Sequence, residues 1–161
     1  MGYREVFRSI KGDRTIRYLG PVRDRDLLPL YAAAACLAYP SQEEGFGFPP
    51  LEAMSCGTPV VALRTGSLPE VVGDAGLLVE SSSVRKLADA LEGLVADERL
   101  WEALRQRGLK RARQFRWEET AAKTLAVYQR MIQNTGSPAI FSPGNPITVT
   151  AVDRIGQGFA S

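Results

Sequence analysis

The sequence predicts an α/β fold, a parallel sheet flanked by helices and followed by a helical C-terminal part. Three observations carry this. Short β-rich runs alternate with helix-length stretches over residues 14–80, as βαβ units require. The apolar run Ala35 to Tyr39 (ACLAY) is continuous rather than alternating, the pattern of a strand covered on both faces. From Ser81 onward the apolar residues fall instead at helical spacing.

In chain order, Arg14 to Leu19 (RTIRYL) reads as the first strand, stopped by Gly20-Pro21. Asp26 then caps a helix carrying Leu27, Leu28, Leu30 and Tyr31, with Pro29 tolerable in its first turn. Ala35 to Tyr39 is the second strand, ended by Pro40-Ser41. After the glycine-rich Glu44 to Phe48, Pro49 or Pro50 starts a helix that runs through Leu51, Ala53 and Met54 and stops at Gly57. Thr58 to Leu63 (TPVVAL) and Gly76 to Glu80 (GLLVE) give a third and a fourth strand. Ser83 caps a helix with Val84, Leu87, Ala88, Leu91, Leu94 and Val95 in one apolar stripe. Asp97 caps the next, with Leu100, Leu104 and Ala112 inward. Its basic residues Arg105, Arg107, Lys110, Arg111 and Arg113 share the helix with Glu98 and Glu102, so they read as a solvated face rather than a phosphate site. A last helix from Trp117 to about Ile132 sets Ala121, Thr124, Leu125, Tyr128, Met131 and Ile132 on one side. Residues 1–133 thus form the domain. Residues 134–161, broken by Gly136, Pro138, Pro143, Gly144 and Pro146, read as an irregular tail with a strand candidate at Ile147 to Val152.

A chain of 161 residues can bury one core, and 45% hydrophobic with 24% charged residues is the balance of a soluble globular protein. No apolar run approaches the roughly 20 residues of a membrane span, and no signal core follows Met1, which predicts a cytoplasmic location. The net charge of +2 is too small to argue for a nucleic-acid partner. With no histidine, the chain cannot itself supply a Ser-His-Asp or Cys-His site, an HExxH metal site or most zinc sites. Cys36 and Cys56 form no CxxC and read as small core residues in a reducing compartment.

The chemistry is concentrated between Glu44 and Ala62: strand end, glycine loop, helix N-terminus, then strand. Ligands of open α/β sheets bind beyond the carboxyl ends of the strands, where a helix N-terminus attracts phosphate. Gly45 and Gly47 let backbone N–H groups approach a ligand without an intervening Cβ. Glu44 and Glu52, eight positions apart, can face one cleft, and a carboxylate matches the paired hydroxyls of a ribose. Taken singly, these residues also have plainer roles. Glu52 suits a helix dipole, Phe46 and above all Phe48 suit a core, and Glu70 and Asp74 suit a loop and a cap.

The segment EGFGFPPLEAMSCGTPVVA, with its E-x7-E spacing, resembles the signature of the family 4 retaining glycosyltransferases of the GT-B fold. YLGPV at Tyr18 to Val22, the LYAAA helix, AYPS around Tyr39, LPEVVGDAGLLV from Leu68 to Val79 and RARQFRWEETA from Arg111 to Ala121 follow in the same order. The resemblance covers roughly residues 14–132. It implies a Rossmann-like C-terminal half of a GT-B enzyme, the half that binds a UDP-, GDP- or ADP-sugar. The sugar would pass, with retention, to an acceptor sugar, lipid or small molecule held by an N-terminal domain this chain lacks. That domain could associate peripherally with a membrane. By the same resemblance Glu44 is the catalytic carboxylate and Glu52 holds the ribose. Gly45, Phe46, Gly47 and Leu51 line the donor, and the base lies against Leu19, Gly20 and Val22. No cofactor, metal or nucleic acid is implied.

The family's donor half opens with two β-α units not seen here, one carrying the Arg and Lys that clamp the diphosphate. Arg8 and Lys11 lie too close together to replace them. An isolated chain is then expected to be inactive or weakly active. The alternatives are a non-catalytic nucleotide-sugar binding module or a structural module without ligand. In the strand order 3-2-1-4-5-6 the missing strands separate the Tyr18 strand from the Ala35 strand. The expectation is that these two pair directly, that Ile147 to Val152 is recruited, or that another chain completes the sheet.

Overall fold

The computed structural model of the protein describes residues 13–80 and 83–134. They belong to two compact units, one ending at Phe115 and the other beginning at Arg116. The first contains α1 (Asp24–Ala33), β1 (Leu37–Tyr39), α2 (Phe48–Ser55), β2 (Val60–Leu63), α3 (Leu68–Val72), β3 (Leu77–Val79), α4 (Val84–Ala96) and α5 (Glu98–Ala112). The strands form one parallel sheet in the order β1-β2-β3, with Ala38 opposite Val61 and Ala62 opposite Leu78. Parallel neighbours need a crossover between them, and α2 and α3 supply it.

All four residues of β2 are buried, so alternate side chains feed opposite faces of the sheet. Val60 and Ala62 join Ala53 and Met54 of α2, Leu68 and Val72 of α3, and Ala75. Val61 joins Val79, Leu94 of α4 and Leu104 of α5. One turn along α5 from Leu104, Gly108 lies against α2, where a Cβ would stand only 3.2 Å from Met54 Cγ. The caps of α4 and α5 are as the sequence indicates. The Ser83 hydroxyl accepts from Lys86 N, and Asp97 Oδ1 accepts from both Arg99 N and Leu100 N.

Several elements depart from expectation. Residues 14–19 form no strand, and Ile16, Tyr18 and Leu19 are about half exposed. Asp13 Oδ1 accepts from both Thr15 N and Thr15 Oγ1, a local turn that competes with strand pairing, and no described strand pairs with the outer edge of β1. The direct pairing across the gap is therefore not made, and Ile147 to Val152 lies outside the described residues. β1 is three residues long, and Ala38 is exposed, so the strand is covered on one face only. Arg23, not Asp26, occupies the N-cap of α1. Asp26 sits in the first turn and pairs with Arg23 at 2.8 Å, which leaves Pro29 inside the helix. Val84, Ala88 and Val95 point outward, and Leu87, Ala90, Leu91 and Leu94 form the buried side of α4.

The second unit contains α6 (Trp117–Asn134). Glu118 and Glu119 complement its N-terminal dipole, and Glu119 pairs with Lys123 one turn on at 3.7 Å. No described helix is long and apolar enough to cross a membrane.

Candidate functional site

The loop between β1 and α2 is held in place by the turn before α3. Ser67 donates its hydroxyl to Phe46 O at 2.7 Å, and its Oγ also lies 3.2 Å from Glu44 O. The Ser67 amide points at the same Glu44 carbonyl at 3.4 Å, and Thr65 Oγ1 donates to Ser41 O at 2.9 Å. This approach requires glycine at 66, where a Cβ would fall 2.7 Å from Glu44 O at a φ of +52°. Gly47 is equally constrained. As the N-cap of α2 it takes a φ of 101°, and a Cβ there would meet Leu68 Cδ2 at 2.9 Å. A Cβ at Gly45 would meet nothing within 4 Å, so the protein's own contacts do not demand glycine there.

On either side of this loop stand the two carboxylates. Glu52, in α2, accepts a hydrogen bond from the Tyr31 hydroxyl of α1, with Oε2 3.2 Å away. Glu44 Oε1 accepts one from the hydroxyl of Tyr39, the last residue of β1. Both tyrosine rings are half-buried against the core cluster of α2 and β2. Burial, then the Glu52 charge and its hydrogen bond, push the Tyr31 phenol up to about 12. Burial, then the hydrogen bond to Glu44 and its charge, push Tyr39 up to about 12, and Tyr31 itself contributes.

An aromatic cluster backs the loop. The Phe46 ring centroid lies 4.7 Å from that of Phe48 and 5.9 Å, edge-on, from that of Phe115. Phe48, expected in the core, is 47% exposed, because the first turn of α2 turns it away from the sheet. The Arg111 guanidinium lies 5.0 Å from the Phe115 centroid while donating from Nε to Val71 O at 3.1 Å and from Nη2 to Glu70 O. Arg111 is thus no solvated residue. It satisfies carbonyls at the end of α3, and Phe115 links it to the glycine loop. Leu19 and Val22, with Pro21, Arg23, Asp26, Pro29 and Leu30, line an open cavity of about 480 Å³. Gly20 adjoins it at a φ of +67°, and Leu51 is half-buried in α2 beside the core. Among the described residues no group of three or more Cys, Asp or Glu could hold a metal.

The structure therefore gathers Glu44, Gly45, Phe46, Gly47, Leu51 and Glu52 around one loop and sets Leu19 and Val22 in a cavity beside α1. Sequence reading missed Tyr31, Tyr39, Ser67 and Phe115. For Tyr31 the available signal was its place in the LYAAA helix beside an expected ligand site. Ser67 carried none, since its partners lie more than twenty residues away.

The family model described as glycosyl transferases group 1 matches residues 2–97. The O-antigen chain mannosyltransferase B of Escherichia coli is 49% identical over 114 residues, covering 71% of this chain and 30% of that protein. The chain thus spans less than a third of that relative's length. Among solved structures, the sucrose-phosphate synthase of Thermosynechococcus elongatus superposes with a TM-score of 0.72 at 30% identity, over 81% of this chain and 34% of its own. Anabaena HepE in complex with UDP-glucose superposes with a TM-score of 0.68 at 27% identity, over 77% of this chain and 36% of its own. The three-stranded parallel sheet with its helices is the arrangement of these GT-B glycosyltransferases, and the chain belongs to the group 1 glycosyl transferases.

Proposed function

We propose that the chain is the donor-binding half of a retaining, family 4 glycosyltransferase. It would take a hexosyl group from a UDP-, GDP- or ADP-sugar and transfer it to an acceptor hydroxyl with its anomeric configuration kept. The observation that carries this reading is the pair Glu44 and Glu52, flanking the glycine loop at the carboxyl end of β1 and each held by a tyrosine hydroxyl. Glu52 would bind the ribose diol, and the N–H groups of Gly45, Phe46 and Gly47, with the α2 N-terminus, would meet the diphosphate. Leu51 would close the wall beside Glu52. The base would lie in the cavity of Leu19 and Val22, with Gly20 at its edge. Glu44 would stand by the anomeric carbon and steady the positive charge that grows there as the C–O bond to the diphosphate breaks. The UDP-glucose bound to HepE and the mannosyl transfer named for the Escherichia coli relative support this donor class. No metal or cofactor is invoked. The acceptor would be a sugar, lipid or small molecule held by a further domain that could also touch a membrane surface, and the site would work in the cytoplasm.

One observation favours a second reading for the chain by itself. Residues 27–63 contain no Lys or Arg, so no fixed cation stands in the loop or in α2 to receive the diphosphate charge. A nucleotide-sugar binding module without turnover would look the same. Calorimetric titration with UDP-, GDP- and ADP-sugars tests both. Binding by the wild type that falls about tenfold or more in Glu52→Ala is expected from the loss of hydrogen bonds to a charged group. No heat with any donor overturns both readings. Slow donor hydrolysis that disappears in Glu44→Ala selects the enzyme over the module.

A further inference from the structure

We propose that Tyr31 and Tyr39 are positioning residues of the donor site, Tyr31 orienting Glu52 and Tyr39 orienting Glu44. The assignment rests on the donor-site reading above and deepens it. A glutamate side chain has three rotatable bonds, and one that must meet a diol or a growing charge works only if its carboxylate plane is fixed beforehand. In this fold each carboxylate is fixed by a rigid ring anchored at its base. The Tyr31 carbonyl accepts from Thr58 Oγ1 at 2.6 Å and from Ala34 N at 3.0 Å, and Thr58 is buried at the entrance to β2. Tyr39 is paired in the sheet opposite Ala62. Each phenol then donates to one carboxylate oxygen, Oε2 of Glu52 and Oε1 of Glu44. Among the described residues no hydrogen bond reaches the other oxygen of either glutamate, which leaves one face of each carboxylate for a ligand.

The division of labour is specific: Tyr31 serves the ribose and Tyr39 serves the sugar. Calorimetry on the full chain uses whichever of UDP, GDP and ADP the wild type binds best, its 2′,3′-dideoxy analogue, and its glucose and mannose derivatives. The Phe variants keep both rings in their core contacts and remove only the hydroxyls. Tyr31→Phe is expected to lower affinity for the nucleotide by about tenfold, the scale of a hydrogen bond to a charged group, and to leave affinity for the dideoxy analogue unchanged. Tyr39→Phe is expected to leave nucleotide affinity unchanged and to abolish the extra affinity of the nucleotide-sugar over the nucleotide. A purely structural role would weaken all probes together. That outcome, or no change with any probe, overturns the assignment and leaves the donor-site reading standing. A wild type that binds no nucleotide overturns the reading and the assignment with it.

Discussion

At Tyr31 and Tyr39 the same hydroxyls that hold the carboxylates make stability depend on alkaline pH. Both phenols are raised from 10.0 to about 12 in the folded chain, so between these values the unfolded chain loses their protons and the folded chain keeps them. The stabilisation they contribute is complete below pH 10 and is lost as pH rises through about 12. Urea midpoints measured across this window are expected to fall with pH in the wild type and to fall less steeply in the double variant Tyr31→Phe, Tyr39→Phe. Equal slopes would show that neither phenol is shifted. The carboxylates themselves were legible in the sequence, because a glycine loop between two glutamates before a proline-led helix is a local pattern. Their tyrosine partners were not. The Tyr31 contact joins residues 21 positions apart, and only the way α1 lies along α2 brings them together.

The elements were read best where their stabilising contacts are local. Asp97 caps α5 through two backbone N–H groups at 3.0 Å within three residues of itself, whereas Ser83 caps α4 through one at 3.2 Å. Asp97→Ala is expected to cost about 1 kcal/mol in urea unfolding, and Ser83→Ala less. A larger loss from Ser83→Ala would reverse this ranking. Elements whose hydrogen bonds lie elsewhere in the chain were misread. RTIRYL has the composition of a strand, yet Asp13 draws Arg14 and Thr15 into a turn, the segment pairs with no described strand, and Ile16, Tyr18 and Leu19 stay exposed. Arg111 has the composition of a solvated helix face, but Glu70 O and Val71 O, about forty residues earlier, take up its donors. The outward Val84 and Val95 show the same limit. Helical spacing alone defined a stripe six residues wide, and the sheet covers only its centre.

Among the described residues of the first unit, β2 is the one strand paired on both sides, and its side chains build both hydrophobic clusters. Among the described strands β1 lies at an edge. Leu37 N donates toward β2 at Pro59 O, so by strand alternation the N–H and C=O of Ala38 face the outer edge, where the described residues offer no partner. Ala38 is also exposed at its side chain, the condition a further strand and its crossover helix would relieve. Opening β2 requires separating both clusters, whereas the Ala38 amide needs no opening at all. Amide hydrogen exchange followed by NMR is therefore expected to be slowest at Val61 and Ala62 and close to the unstructured rate at Ala38, only one residue from Tyr39. Since the glycine loop hangs from the carboxyl end of β1, a nucleotide-sugar that engages Glu44 and Glu52 should slow exchange at Tyr39 while leaving Ala38 fast. Protection of Ala38 as strong as that of Val61 in the free chain would mean that another segment or a second copy already covers this edge.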